Sequence, residues 1–351
     1  MGALWLDWNC NQTAVNETIH NAIEPTEHTP TASAAEYEAM ATGAAIRILG
    51  DRTIIRVTGD DRAAFLHGMC SNEVKGAKPG TIVPALILTE HAHIIADLFL
   101  WIAADAINIE IDSESWPLTH DHLEKLLVAD DVEFSDPATL SILHAQGARA
   151  AQTLAQAGFP DASTLKALQW KPCGSRMIGR LDRFGCDSFS VIDGADAVMA
   201  AARSLEKAGA VLLDPDALEV VRIENGIARV GVDTNDKTLA LEARMDRAIS
   251  FNKGCYVGQE TVERATARGG IKKQLFGLRF EAPVEPDTAL AMEGREVGHV
   301  TSVAISPKLG PIGLAIIDHR AWAPGTELSA GHVKASVSDL PFGAAIPKPS
   351  A

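Results

Sequence analysis

The residues best equipped for chemistry lie together at Lys253-Gly254-Cys255-Tyr256-Val257-Gly258-Gln259-Glu260, where a thiol, an ammonium group, two glycines and a carboxylate share eight positions. A cysteine beside a cation and near the start of a helix is biased towards the thiolate, the nucleophilic and metal-ligating form. The pattern predicts a turn over 254–258 and a helix over 258–268, with Gly269 just past its end. Gly254 and Gly258 admit backbone angles closed to other residues, or close approach of a ligand. Cys255 and Lys253 are therefore candidate catalytic residues. An isolated cysteine is more often a buried structural one, so the neighbouring residues have to decide.

Two acids stand out elsewhere. Asp97 interrupts the apolar run Ile94-Ile-Ala-Asp-Leu-Phe-Leu-Trp101 and shares a strand face with Ile95 and Phe99. Such an acid either faces solvent or is costly to bury unless bonded or used. Glu224 falls in the last turn of a predicted helix, where a negative charge opposes the macrodipole. The plain alternative there is a solvent-exposed acid offset by Arg222 or Arg229. His91 and His93 read as exposed turn residues, since no third metal ligand lies near them in sequence, and no metal site is expected.

These residues need a scaffold. Ser33 and Glu36 form a capping-box pattern for a helix from Ala34 to about Ala41. Strand-like alternation follows on both sides of Gly50-Asp51, then a helix from Arg62 to Met69. Residues 84–101 read as a β-hairpin turning at Glu90–His93, which carries Asp97. Residues 107–111 read as a strand, Thr119–Val128 as a helix, and Ser141 onwards as a strand entering a second unit. Asp214 and Pro215 are a strong N-cap and N1 pair for the helix that carries Arg222 and Glu224 and stops at Gly226. Helices and strands mix without regular βαβ spacing, so the fold class is α+β. After Gly270, short strands between Pro/Gly turns predict a small barrel.

The 351 residues suffice for two or three domains. Five cysteines, odd in number and without a CxxC, fit a reducing cytoplasm rather than a disulfide framework or a self-contained zinc site. No apolar run is long enough to span a membrane, so no membrane partner is expected. A formal charge of −15 argues against nucleic acid. Residues 244–279 nevertheless carry eight Lys/Arg, Arg264 among them, against three acids. That is either a solvated face or a field for an anionic ligand.

The 253–260 segment matches throughout the signature K-G-C-[FY]-x-G-Q-E, and so the chain resembles the YgfZ-type folate-binding proteins, relatives of the glycine-cleavage T-protein. Val57, Gly59, Asp61, Phe65 and Leu66 are similar to that superfamily's opening turn and helix. Arg222-Ile-Glu-Asn-Gly-Ile is similar to its R-[LI]-E-x-G segment, and Gly298–Pro307 to its G-x-[VI]-T-S-x-x-x-S-P segment. The resemblance covers roughly residues 36–345. It implies a ring of two mixed α/β domains and a C-terminal β-barrel around a tetrahydrofolate cavity. The expected units are an extension at 1–33, a first domain at 34–140, a second at 141–270, the barrel at 271–345 and a tail at 346–351.

By that resemblance Glu224 holds the pterin, with Arg222 and Arg264 as further cofactor-binding residues. Asp97 lies at the one-carbon end, and Cys255 faces solvent or a partner near the cavity. It also implies an accessory protein of iron–sulfur cluster assembly or repair, whose partners are folate and client or assembly proteins. The competing readings are a folate-dependent aminomethyltransferase or demethylase, and a folate-binding scaffold without chemistry. The thiol motif separates the first from the second, because the transferases resemble K-G-x-[FD]-[IV]-G without the cysteine.

Overall fold

The computed structural model describes residues 29–267 and 270–343. The expectations for residues 1–28, Gly269 and the tail at 346–351 lie outside the described residues. Helix α1 (Ala34–Thr42) leads into β1 (Ala45–Leu49) and β2 (Arg52–Thr58), then α2 (Arg62–Met69), β3 (Ile82–Leu88), β4 (Ile94–Ile102), β5 (Ile107–Asp112), α3 (Trp116–Glu124) and β6 (Glu133–Phe134). Next come β7 (Leu140–Gln146), α4 (Ala150–Gln156), β8 (Gln169–Cys173), β9 (Arg176–Leu181), β10 (Ser188–Gly194), α5 (Ala195–Lys207), β11 (Val211–Leu212), α6 (Pro215–Asn225) and α7 (Gln259–Ala267). The chain ends in β12 (Lys273–Phe280), β13 (Ala289–Met292), β14 (Arg295–Ser306), β15 (Gly310–Asp318), β16 (Glu327–Ala330) and β17 (Val333–Ser338).

The strands form a five-stranded sheet β3-β4-β5-β2-β6, a six-stranded sheet β11-β1-β7-β10-β9-β8 and a closed barrel β12-β15-β14-β13-β16-β17. Strand alternation distributes the side chains of the sheets. In the first sheet Ile55, Leu98, Leu100 and Ile109 pack against Phe65 and Leu66 of α2 and Trp116 and Leu123 of α3. From its opposite face Ile54, Ile82, Phe99 and Trp101 meet Ile142, Leu181 and Ile192 of the second sheet. The outer face of the second sheet takes Leu154 of α4 with Val198 and Leu205 of α5. The fold is thus the expected α+β class, two sheets packed face to face with helices outside and a barrel appended.

Strands flank Gly50-Asp51 as expected, but β1 and β2 do not pair with each other, and the helix expected after β5 shifts. β1 pairs with β7 and β11, while β2 pairs with β5 and β6. The bend at Gly50-Asp51 carries the chain from one sheet to the other, so the first domain's leading strand belongs to the second sheet. The helix expected at 119–128 runs instead over Trp116–Glu124. Pro117 suits its first turn and Trp116 supplies a buried anchor, whereas Leu126 and Val128 are exposed. Within the expected extension, Thr31 bridges Ile305 of the barrel.

Barrel and body are joined by a buried ionic cluster. Arg222 donates to Asp233 (2.6 Å) and to the Ser302 hydroxyl (2.7 Å). Asp233 also accepts from Ser302 (2.7 Å) and Thr301 (2.5 Å) of β14. The Thr-Ser pair of the barrel segment therefore serves as a docking point for the arginine of α6.

Candidate functional site

The cleft between the first sheet, the loop after α6 and the segment 244–248 encloses about 980 Å³, part of it open to solvent. Asp97 lines it from β4, together with Asp51 and Asp112. Six arginines line it as well: Arg52, Arg183, Arg222, Arg229, Arg244 and Arg247. The three lining carboxylates are joined by Glu110, Glu219, Asp233 and Asp182, which pair with five of these arginines, so the arginines are largely compensated from behind.

Asp97 is neither of the two extremes open at the sequence level. Its side chain is 34% exposed and faces the cleft, 3.4 Å from the Arg52 guanidinium. Arg52 also lies 3.3 Å from Glu110, a fully buried carboxylate that Arg183 and the Trp101 indole (3.1 Å) hold as well. Burial alone would lower the Arg52 pKa and raise that of Glu110. The mutual attraction outweighs it, so the arginine is raised by Asp97 and Glu110 and the acid is lowered by Arg183 and Arg52. Asp97 is thus oriented by a rigid charged platform behind it, with its remaining acceptor capacity turned to the cleft.

Glu224 lies elsewhere. It is fully buried, does not line the cleft, and both its carboxylate oxygens accept from the Tyr37 hydroxyl of α1 (3.0 and 2.8 Å). Burial raises its pKa, with Ser306, Tyr37 and Lys308 pulling the other way. In this arrangement the carboxylate is turned to Tyr37. Arg222 lines the cleft, but its guanidinium is taken by Glu219, Asp233, Ser302 and the Ile227 carbonyl. Arg264 sits on exposed α7, paired with Glu260 and away from the cleft.

The thiol segment packs on the end of α2 and the tip of the β3–β4 hairpin, and its Tyr256 shares a core cluster with Leu86, Ala228 and Ala248 of the cleft lining. Lys253 is buried, and its ammonium donates to the carbonyls of His67, Cys70 (2.7 Å) and Asn72 (2.9 Å), while lying 4.9 Å from the centre of the Tyr256 ring. These carbonyls close the C-terminal end of α2, where a cation is favoured. Burial lowers the lysine's pKa. The ammonium therefore fastens the motif to the end of α2.

Gly258 has φ +87°, and a Cβ there would meet the Thr89 carbonyl oxygen at 2.7 Å, so only glycine lets the motif seat on the hairpin tip. Cys255 is exposed and four residues ahead of α7, outside the first turn where a helix dipole acts. The structure brings Asp97 and Arg222 to one cleft and leaves Cys255, Lys253, Glu224 and Arg264 outside it. Arg52, Arg183 and Arg244 have no motif around them, and only the strand pairing and loop geometry reveal them. No group of three His, Cys, Asp or Glu among the described residues could hold a metal ion.

Residues 6–253 match the GCVT N-terminal domain, and residues 273–342 match the glycine cleavage T-protein C-terminal barrel domain. The chain belongs to the glycine cleavage T-protein family. The barrel match coincides with the closed barrel described above. A chloroplastic protein of Arabidopsis thaliana, whose name places it provisionally among the transferases, is 28% identical over 311 residues, covering 85% of this chain and 71% of the relative. The aminomethyltransferase of Bacillus subtilis is 25% identical over 332 residues, covering 88% and 90%. The crystal structure of the glycine cleavage system aminomethyltransferase T from Bartonella henselae superposes with a TM-score of 0.82 at 22% identity, covering 92% of this chain and 93% of that one. This member of the T-protein family therefore has the aminomethyltransferase fold. Among the described residues no helix is long and apolar enough to cross a membrane.

Proposed function

We propose that the protein is a tetrahydrofolate-binding member of the YgfZ type, acting as an accessory to iron–sulfur cluster assembly or repair in the cytoplasm through the exposed thiol of Cys255. The observation that carries this reading is the separation of the two sites. The charged cleft holds Asp97 among arginines, while the thiol lies outside it on a loop fastened by Lys253 and Gly258. A transferase needs only the cleft, and an exposed thiol on a rigid mount suits a partner.

The cleft fits a folate chemically. Asp97 can accept paired N–H groups of the kind a pterin ring carries, and Arg244, which makes no ion pair among the described residues, suits a carboxylate. Bound tetrahydrofolate would supply one-carbon carrier chemistry. The chain's own part is positional: Arg52 and Glu110 fix Asp97, and the two packed sheets limit water behind it. One thiol cannot hold a cluster, which takes about four thiolates, so Cys255 would share iron or exchange with groups supplied by a client or assembly protein.

The aminomethyltransferase reading is the competitor, favoured by the family and by the retention of Asp97 in the cleft. In cells lacking the protein, Cys255→Ala is expected to fail to restore a cluster-dependent enzyme while expressing at wild-type level. Full rescue by Cys255→Ala would remove the thiol from the mechanism. Tetrahydrofolate-dependent ammonia release from an aminomethylated lipoyl carrier would establish the transferase instead.

A further inference from the structure

Five of the six arginines in the cleft already have a carboxylate. Arg52 and Arg183 share Glu110, Arg222 and Arg229 share Glu219, and Arg247 pairs with Asp182. Arg244 is different. No carboxylate among the described residues lies within ion-pair distance of its guanidinium, and Asp339 and Asp246 act on it only through space. Its Nε is buried and makes no hydrogen bond. The guanidinium carbon lies over the Phe276 ring of the barrel, 4.4 Å from the centroid, a cation–π contact that leaves its charge without a carboxylate.

The backbone is unusual at the same residue. Arg244 has φ +54°, in the left-handed region that a side chain with a Cβ rarely adopts. The conformation is held from both sides. Met245 donates to the Ala240 carbonyl (3.0 Å), and Leu275 of the barrel donates to the Glu242 carbonyl (2.7 Å). A tight turn clamped on the barrel therefore presents a half-buried, uncompensated guanidinium to the cleft. Strain of this kind persists where surrounding structure imposes it, and it gathers at ligand sites.

We infer that Arg244 is the carboxylate receptor of the cleft, taking the acidic end of the bound ligand in a bidentate pair while Asp97 takes its N–H-bearing end. Within the folate reading, on which this inference rests, the acidic end is the glutamate tail. The placement then gives the cleft a polarity, with the ring at β4 and the tail at the barrel side. The other five arginines are structural, and neutralising one of them removes a partner from an acid of the protein rather than a contact from the ligand.

The test compares two probes on the full chain by calorimetric titration: tetrahydrofolate, and 6-methyltetrahydropterin, which carries the ring without any carboxylate. Wild-type protein is expected to prefer tetrahydrofolate. Arg244→Gln should weaken tetrahydrofolate by about ten-fold or more, as for loss of a charge-assisted hydrogen bond, and leave 6-methyltetrahydropterin unchanged. Added salt should weaken tetrahydrofolate binding in wild type more than in the variant. Arg244→Asn, which tolerates the left-handed backbone, provides a second folded variant with the same expected loss. Equal affinity of wild type, Arg244→Gln and Arg244→Asn for tetrahydrofolate overturns the inference and leaves the folate reading intact. Failure of wild type to bind either probe overturns both.

Discussion

At the scale of single residues, Lys253 shows how much of a motif's setting lies outside its own spacing. A lysine two positions from a cysteine suggests thiolate activation. The lysine spends all three N–H groups on the carbonyls that end α2. Which backbone carbonyls a long side chain reaches depends on how distant segments pack, and no local signal carries that. Asp97 was legible as an acid out of place in an apolar strand, and the structure puts it in the cleft. Glu224 was legible as anomalous for the right reason, a charge where the helix dipole disfavours one, but its partner Tyr37 lies 187 positions away. The prediction at this scale concerns Lys253→Met. It leaves three carbonyls without a charged donor and should cost roughly 3 kcal/mol of stability. Chemical denaturation of wild type and variant measures it. A variant as stable as wild type would mean that the ammonium fastens nothing.

At the scale of elements, what the sequence revealed was what local chemistry decides. The Ser33–Glu36 capping box forms on α1, and Asp214, Pro215 and Gly226 bound α6 as expected. The shift of α3 towards Trp116 reflects tertiary packing, since the buried tryptophan outweighs the apolar residues beyond Glu124. α6 is also where pH should act on the fold. Burial would raise the pKa of Glu219, but Arg222 and then Arg229 bring it down to about 2 from 4.5. A carboxylate with a lowered folded-state pKa adds stability above its unfolded pKa and loses it as pH falls through the folded one. The Glu219–Arg222 pair should therefore contribute fully above about pH 5 and progressively less down to about pH 2, by an amount on the order of 2–3 kcal/mol. Glu219→Gln should be less stable than wild type at neutral pH, with the difference shrinking towards pH 2. A constant difference across that range, read from urea unfolding at several pH values, would exclude the pairing as the cause.

At the scale of the whole molecule, fold class and barrel were legible because strand alternation and turn residues are local. Sheet membership was not. β1 crosses to the second sheet, and the expected boundary at 140 does not follow the pairing of β1 with β7. Arg52 reaches Asp97 across the first sheet, where β5 lies between β2 and β4. The thiol loop sits on α2 and the hairpin tip, outside the cleft. Two separate sites on one T-protein scaffold are the core of the account. Titration of tetrahydrofolate against intrinsic tryptophan fluorescence tests it most directly, because Trp101 donates to the Glu110 that anchors the cleft arginines. The account predicts saturable quenching with the same dissociation constant for wild type and Cys255→Ala. Absence of binding, or a marked loss of affinity when the thiol is removed, would contradict it.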